Sequence, residues 1–334
     1  MKKMLMLFAG IMLLLALSAC GQKSQGDVVS ELNDKLGEMK GYKANAKMTL
    51  KMGTEPQVYN VEIWHKDPSF YRVNLKNEEK DQSQMILKND DGVYVLTPAL
   101  NKSFKFQSEW PENSSQAYLF ESLVKDITED KSATYKETDK HYVFVTKTRY
   151  QNNKMLPFQE ITINKKDLSP VSVKVMDPDK TALVLVEFSK VKFNTNFDKD
   201  AFDMKKNMTS AQLEAPVMAE VQDEGFAVKY PEAINGMSLT EEKEIATEKG
   251  ERIILTYEGT KSFTLVQEKA EVVQTSVSTN VNGEPVDLGY TVGAMTGNTI
   301  AWTFEGVDYM LASKDLTQEE MIEVARSVGG DPVK

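Results

Sequence analysis

The stretch "QEITINKKDLSPVSVKVMDPDKTALVLVEFSKVKFN", residues 159–194, alternates apolar and polar side chains over successive short segments. A period of two is the mark of strands with one buried face and one wet face. Pro157–Asn164, Pro170–Met176 and Thr181–Asn194 read as those strands. Asp177-Pro178-Asp179-Lys180 forms the turn between the last two: proline presets φ, and aspartates bond back to nearby backbone. Strands joined by connections this short run antiparallel.

The same alternation extends toward the N-terminus. Tyr42–Met52, Gln57–His65, Ser69–Lys76, Gln84–Asn89, "VYVLTP" (93–98) and Ser103–Gln107 all carry it, as do Thr134–Glu137 and His141–Tyr150. Asp91-Gly92 is a hairpin signal between two of these segments. Two segments have helical spacing instead. Residues 27–40 repeat Val28, Val29, Leu32, Leu36 and Met39 along one face, with Gly41 as a stop. In residues 110–130, Ser114 or Ser115 can cap a helix whose apolar face is Ala117, Phe120, Leu123, Val124 and Ile127. The expectation is a mainly β, α+β chain with a large curved antiparallel sheet and helices against one face.

A linker is expected at 209–217, followed by a second domain at 218–330. That domain reads as short strands in "EGFAVKYPE" (224–232), "RIILTYEG", "SFTLVQEKA", "PVDLGYTVG", "NTIAWTFEG" and "VDYMLASK". It closes on a helix at 317–330, with Glu319 and Glu320 in its first turn, Arg326 near its end and Gly329 after it. Charge separates the two parts. From Pro216 onward there are 21 Asp+Glu against 9 Lys+Arg, a net of −12, whereas residues 21–215 have 29 of each. Neither part has the basic surface that nucleic acid selects.

The first residues give the compartment. Lys2 and Lys3 precede an apolar run from Met4 to Ala19, whose sixteen residues would reach only about 24 Å as a helix. That is short of the roughly 20 apolar residues of a stable membrane span, so the run reads as an export signal over residues 1–19. Leu17-Ser18-Ala19-Cys20, followed by Gly21, resembles a bacterial lipobox. The motif implies cleavage before Cys20 and a diacylglyceryl group on its sulfur, with residues 20–26 as lipidated cysteine and polar tether. Cys20 is the only cysteine, so an intramolecular disulfide is impossible.

Catalytic and metal patterns are sparse. His65 and His141 are the two histidines, both in expected strands, and His65 should point to the opposite face from Trp64. Zinc wants three or four Cys, His or carboxylate ligands, and the sole cysteine is committed elsewhere. No Gly-x-Ser-x-Gly elbow, phosphate loop or dinucleotide fingerprint occurs. Asp90-Asp91, Asp177 with Asp179, Asp198 with Asp200, and Glu241, Glu242 and Glu244 read as solvated turns or charged runs without calcium-loop spacing. No cofactor or metal is expected, and no enzymatic activity.

Three stretches of the first domain, "VEIWHKDPSFYRV" (61–73), "NDDGVYVLTPALNKSFKF" (89–106) and the quoted meander, resemble the LolA-type lipoprotein carriers. The resemblance covers residues 27–208 and implies a half-open antiparallel β-barrel that wraps around helices and shelters lipid chains. In the Gram-negative carrier an arginine just before the proline of the first stretch helps latch a lid, whereas this chain has Asp67 there. "GFAVKYP" (225–231), "FTLVQ" (263–267) and "IAWTFEGVDYMLAS" (300–313) resemble a DUF4367-type module. That pairing behind a lipobox is similar to sporulation and germination lipoproteins of the YdcC and GerS type. It implies a role in the spore envelope or in germination, at the extracytoplasmic face of the cell membrane.

An apolar cavity on the concave face would be lined by Trp64, Phe70, Met85, Tyr94, Leu96, Phe104, Phe106, Phe144, Phe158 and Phe188. Large apolar pockets are the default binding sites where nothing catalytic competes. Three readings follow: a binding module for a lipid, a lipoprotein or an envelope protein; a filled-barrel scaffold for a cell-wall enzyme; and an envelope hydrolase with a polar cluster around His65 or His141.

Overall fold

A computed structural model describes residues 23–51, 56–78, 83–111, 114–150, 154–214, 226–234, 236–247, 250–272 and 278–329. Cys20 and the expected export signal lie outside these residues. Helix α1 (Gln25–Glu38) is followed by β1 (Gly41–Leu50), β2 (Gln57–Lys66), β3 (Phe70–Asn77), β4 (Ser83–Asn89), β5 (Gly92–Thr97) and β6 (Lys102–Phe106). Helix α2 (Phe120–Glu129) interrupts the meander before β7 (Thr134–Glu137), β8 (His141–Lys147), β9 (Phe158–Asn164), β10 (Pro170–Met176) and β11 (Ala182–Phe193).

These strands form one sheet in the order β6-β5-β4-β3-β2-β1-β11-β10-β9-β8-β7, antiparallel throughout. The β1–β11 pairing joins the two halves, with Ala46 opposite Phe188 and Met48 opposite Val186. The sheet stays open, with β7 at one edge. Its inner face carries Tyr42, Ala44, Val61, Ile63, Val73, Ile161, Val173 and Val186, all buried in one cluster with Val28 and Leu32 of α1 and Phe120, Leu123, Val124 and Ile127 of α2. The half-open barrel wrapped over helices is therefore present.

The expected tether is shorter than residues 20–26. Ser24 caps α1 in a reciprocal box with Asp27, so Gln25 and Gly26 are already helical. The expected linker also changes character. Helix α3 (Met204–Glu214) continues through residues 209–214 and packs Met204, Met208 and Ala211 on the outer face of the first sheet.

The second sheet comprises β12 (Met237–Thr247), β13 (Gly250–Gly259), β14 (Ser262–Lys269), β16 (Glu284–Asp287), β17 (Val292–Met295), β18 (Thr299–Phe304) and β19 (Val307–Ala312), in the order β12-β13-β14-β19-β18-β17-β16. Helix α4 (Gln318–Val328) buries Met321, Ile322, Val324, Ala325 and Val328. Its Thr317–Glu320 capping box and Arg326 near the end match the expected terminal helix.

Two expectations fail here. Glu241, Glu242 and Glu244 lie not in a turn but on β12, an exposed edge strand. Charged edges resist further pairing, which explains how a strand can carry so many carboxylates. Conversely, the described part of "EGFAVKYPE", residues 226–232, is not a strand. Gln267 holds it instead, accepting from the Lys229 N–H at 2.9 Å and donating to the Lys229 carbonyl at 2.7 Å. Strand β14 already pairs on both edges and leaves no ladder free.

The two units share one core. Strand β15 (Thr279–Val281) leaves the second unit to pair parallel with β6, closing that edge of the first sheet. Buried residues of both sheets form a single apolar cluster. Polar contacts tie the seam: Tyr59 OH donates to the Tyr290 carbonyl at 3.1 Å, Val292 N–H to Gln84 Oε1 at 2.7 Å, and Lys102 Nζ to Asp308 Oδ2 at 2.6 Å.

Candidate functional site

The ten residues expected to line one cavity divide between the faces of the first sheet. Phe106 and Phe144 are buried in the inner cluster, with Phe104 and Phe188 packed against it. Met85, Tyr94 and Leu96 are buried on the outer face together with Leu87, Phe202 and Met208, and Trp64 and Phe70 pack against that second cluster. Phe158 is half-buried, one residue out of phase with buried Gln159 and Ile161. The correction has a simple cause. Strands β4 and β5 are buried on both faces, so Met85-Ile86-Leu87 and Val93-Tyr94-Val95-Leu96 are continuous apolar runs. Such runs signal a covered outer face.

The concave side is packed with side chains. A cavity of ≈ 70 Å³ lies at the seam between Tyr59, Asn77, Gln84, Tyr290 and Glu305. Two more, of ≈ 30 and ≈ 20 Å³, flank Arg326. Small-molecule pockets usually hold about 300–1,000 Å³. Two wider spaces are open grooves: one of ≈ 550 Å³ over β3, β2, β1 and β11, where Asn45, Lys47, Asn60, Glu62, Asn74 and Lys76 supply a polar floor, and one of ≈ 470 Å³ beside α1, with Glu31, Asp34, Lys165 and Lys166.

Two polar clusters sit under α2. In the first, His65 stacks on Tyr71 with ring centroids 4.6 Å apart, and its Nε2 lies 3.1 Å from Glu121 Oε1. Tyr42 OH donates to Glu121 Oε2 at 3.2 Å and accepts the Phe120 N–H at 3.1 Å. Burial, then the Glu121 charge, pushes the Tyr42 hydroxyl pKa well up, so it stays a donor. The expected opposition of Trp64 and His65 holds: Trp64 lies outside, between the Lys43 ammonium and the Arg72 guanidinium at 3.7 and 4.2 Å from its ring centroid. His141 opens β8, where its N–H donates to Thr138 Oγ1.

The sequence gives no hint of the second cluster. Asp126 accepts from Arg149 Nε at 2.5 Å, Gln159 Nε2 at 2.6 Å and Ser115 Oγ at 2.8 Å. Burial raises its carboxyl pKa, opposed by the Arg149 charge. Both clusters fasten α2 and its approach to the sheet. Most of their polar groups bond one another inside the fold. Among the described residues, no group of three or more His, Cys, Asp or Glu side chains is placed to hold a metal ion.

At the seam, Arg326 Nη2 donates to the Asp287 carbonyl at 2.8 Å. Burial lowers the guanidinium pKa, with Asp287 opposing the shift. Tyr118 and Tyr150 line both flanking cavities, and burial raises both of their pKa values.

The chain is 58% identical over 334 residues to Sporulation protein YdcC of Bacillus subtilis (strain 168), covering 100% of this chain and 98% of that protein. Among solved structures, the Pseudomonas aeruginosa MucA/MucB complex overlaps 91% of this chain and 99% of its own at 12% identity and a TM-score of 0.34. The CwlD amidase from Clostridioides difficile in complex with the GerS lipoprotein overlaps 53% and 97% at 15% identity and a TM-score of 0.29. Overlaps this weak say nothing of what this chain binds. The family described as "Sporulation protein YdcC-like" matches residues 1–202, and with the full-length relative this places the chain in that family.

Proposed function

We propose that this protein is a non-enzymatic, membrane-tethered lipoprotein of the sporulation envelope that presents its surface to an envelope protein partner. Cys20 carries the anchor on this reading, and residues 1–19 direct export. The relative named Sporulation protein YdcC supports the sporulation setting. The observation that favours a protein partner over a sheltered lipid is the filled concave face, where α1, α2 and the second unit occupy the space an acyl chain would need. The solved complexes MucA/MucB and CwlD with GerS are protein assemblies, and a protein partner for this chain is proposed on its own packing.

The test uses the mature chain with Cys20→Ser. Native mass spectrometry is expected to show protein without co-purifying lipid, and a fluorescent fatty acid should not be taken up. Stoichiometric lipid retention would move the function to lipid carriage. Cross-linking of the full protein in sporulating cells should then capture one dominant envelope protein.

A further inference from the structure

Lys23 is the first described residue, and it is fixed to the β7 edge. Its N–H donates to Glu137 Oε2 at 2.9 Å, and Tyr135 OH donates to its carbonyl at 3.1 Å. Gln25 Nε2 adds a bond to the Ala133 carbonyl at 3.3 Å. Three Cα–Cα steps separate Cys20 from Lys23, a reach of at most about 11 Å. The headgroup layer a tether must cross is itself roughly 5–8 Å deep. A thioether-linked glyceride at Cys20 therefore leaves the Lys23 edge almost no distance from the membrane.

The strands fix what else lies at that end. Glu137 adjoins the β7–β8 turn, and Lys165 bonds both Glu137 and the Thr138 carbonyl from the β9–β10 turn. Lys165 N–H also reaches the Lys140 carbonyl, so the two hairpin tips are neighbours. Beyond β15, which runs along the β6 edge as far as Phe106, and Glu284, which reaches Ser108, the second unit docks at the opposite ends of the strands. Gln57, at the start of β2, bonds Gly329, and Gln84, near the start of β4, bonds Val292. Leu50 closes β1 beside Arg326. Strands of seven to ten residues separate the ends by about 23–33 Å at ~3.3 Å per residue.

We infer that the 137–141 and 164–169 hairpin tips rest on the phospholipid headgroups, with the second unit held outward at the far end of the first sheet. The inference rests on the reading of Cys20 as the anchor. Charge acts in the same direction. The tips combine Lys23, Lys140, Lys165 and Lys166 with Glu137, Asp139 and Asp167, a mixed surface that an anionic leaflet tolerates. The region from Pro216 onward, with its net of −12, is repelled by such a leaflet within a Debye length of about 8 Å. The anchor thus sets an orientation as well as a location, and the β12 edge faces away from the membrane.

The experiment uses full-length protein purified with its anchor and reconstituted in phosphatidylethanolamine–phosphatidylglycerol vesicles holding an acceptor-labelled lipid. Donor dyes are placed singly through Lys140→Cys and Lys243→Cys, both exposed positions, the second on β12. Energy transfer should be high from the K140C label and several-fold lower from K243C. A Gly-Ser insertion after Gln22 should lower the K140C transfer. Intact mass separates the two possible failures. A diacylglyceryl mass on Cys20 with equal transfer from both sites, or greater transfer from K243C, overturns the orientation alone. An unmodified Cys20 overturns the anchor and the orientation with it.

Discussion

His65 Nε2 lies 3.1 Å from Glu121 Oε1, which bonds the inner face of β2 to the first turn of α2. The other ring nitrogen, Nδ1, faces the Phe70 carbonyl at 3.2 Å. A carbonyl only accepts, so a hydrogen bond there needs the hydrogen on Nδ1. His65→Phe keeps a ring over Tyr71 but removes a partner from Glu121, at an expected cost of about 1–3 kcal/mol. His65→Ala also opens a cavity and should cost about 3–5 kcal/mol. Urea unfolding with an unchanged slope measures both. A catalytic role would instead abolish the sporulation phenotype in H65F while the fold stayed as stable as the parent.

Phe202 tests whether residues 197–214 belong to the first unit. Its ring lies 5.7 Å from that of Phe70 and 5.2 Å from that of Phe197, over the buried Met85 and Leu87. Phe202→Ala is expected to destabilise by about 3–5 kcal/mol. A change under a few tenths of a kcal/mol would mean that the segment only drapes over the sheet.

Gly41 opens β1 with φ 147°, and a Cβ there would stand 2.3 Å from the His65 carbonyl oxygen and 3.0 Å from Lys66 Cα. Both obstacles are backbone atoms paired in register with β1, so neither can swing away. Gly41→Ala should cost at least about 1–3 kcal/mol from strain. Thermal melting of purified protein reads the loss directly.

Alkaline pH should loosen the seam. Burial pushes the Tyr59 hydroxyl up to about 12, and its one proton serves two acceptors at the seam, Gln57 Oε1 at 2.7 Å and the Tyr290 carbonyl at 3.1 Å. A group whose folded pKa is raised contributes stability that is complete below its unfolded value, about 10 for tyrosine, and lost as pH rises through the folded value. Melting temperature should therefore fall between pH 10 and 12, and Tyr59→Phe should fall less steeply over that window. Equal slopes in the two proteins would exclude Tyr59 as a contributor.

The strand meander was legible because period-two alternation encodes which face is buried. Thr134–Glu137 and Pro170–Met176 match their expected limits, and Asp177 does accept the Lys180 N–H in its turn. Helix α3 was missed because residues 204–214 carry little apolar periodicity of their own, and their few apolar side chains matter only against Met85 and Tyr94. Strand β12 was missed for the opposite reason: its charges describe exposure, and exposure at a sheet edge looks like exposure in a turn.

By itself the sequence determined the mainly antiparallel β character, the helices at α1, α2 and α4, and a candidate anchor at Cys20. Local periodicity, caps and motifs carry that information over a few residues at a time. Only the tertiary structure decided which aromatic residues face inward, that β15 crosses to the first sheet, and that Gly329 and Val292 of the second unit meet the strand ends opposite Lys23. Those outcomes depend on contacts between residues more than a hundred positions apart, such as Gln57 with Gly329, and no local pattern records them.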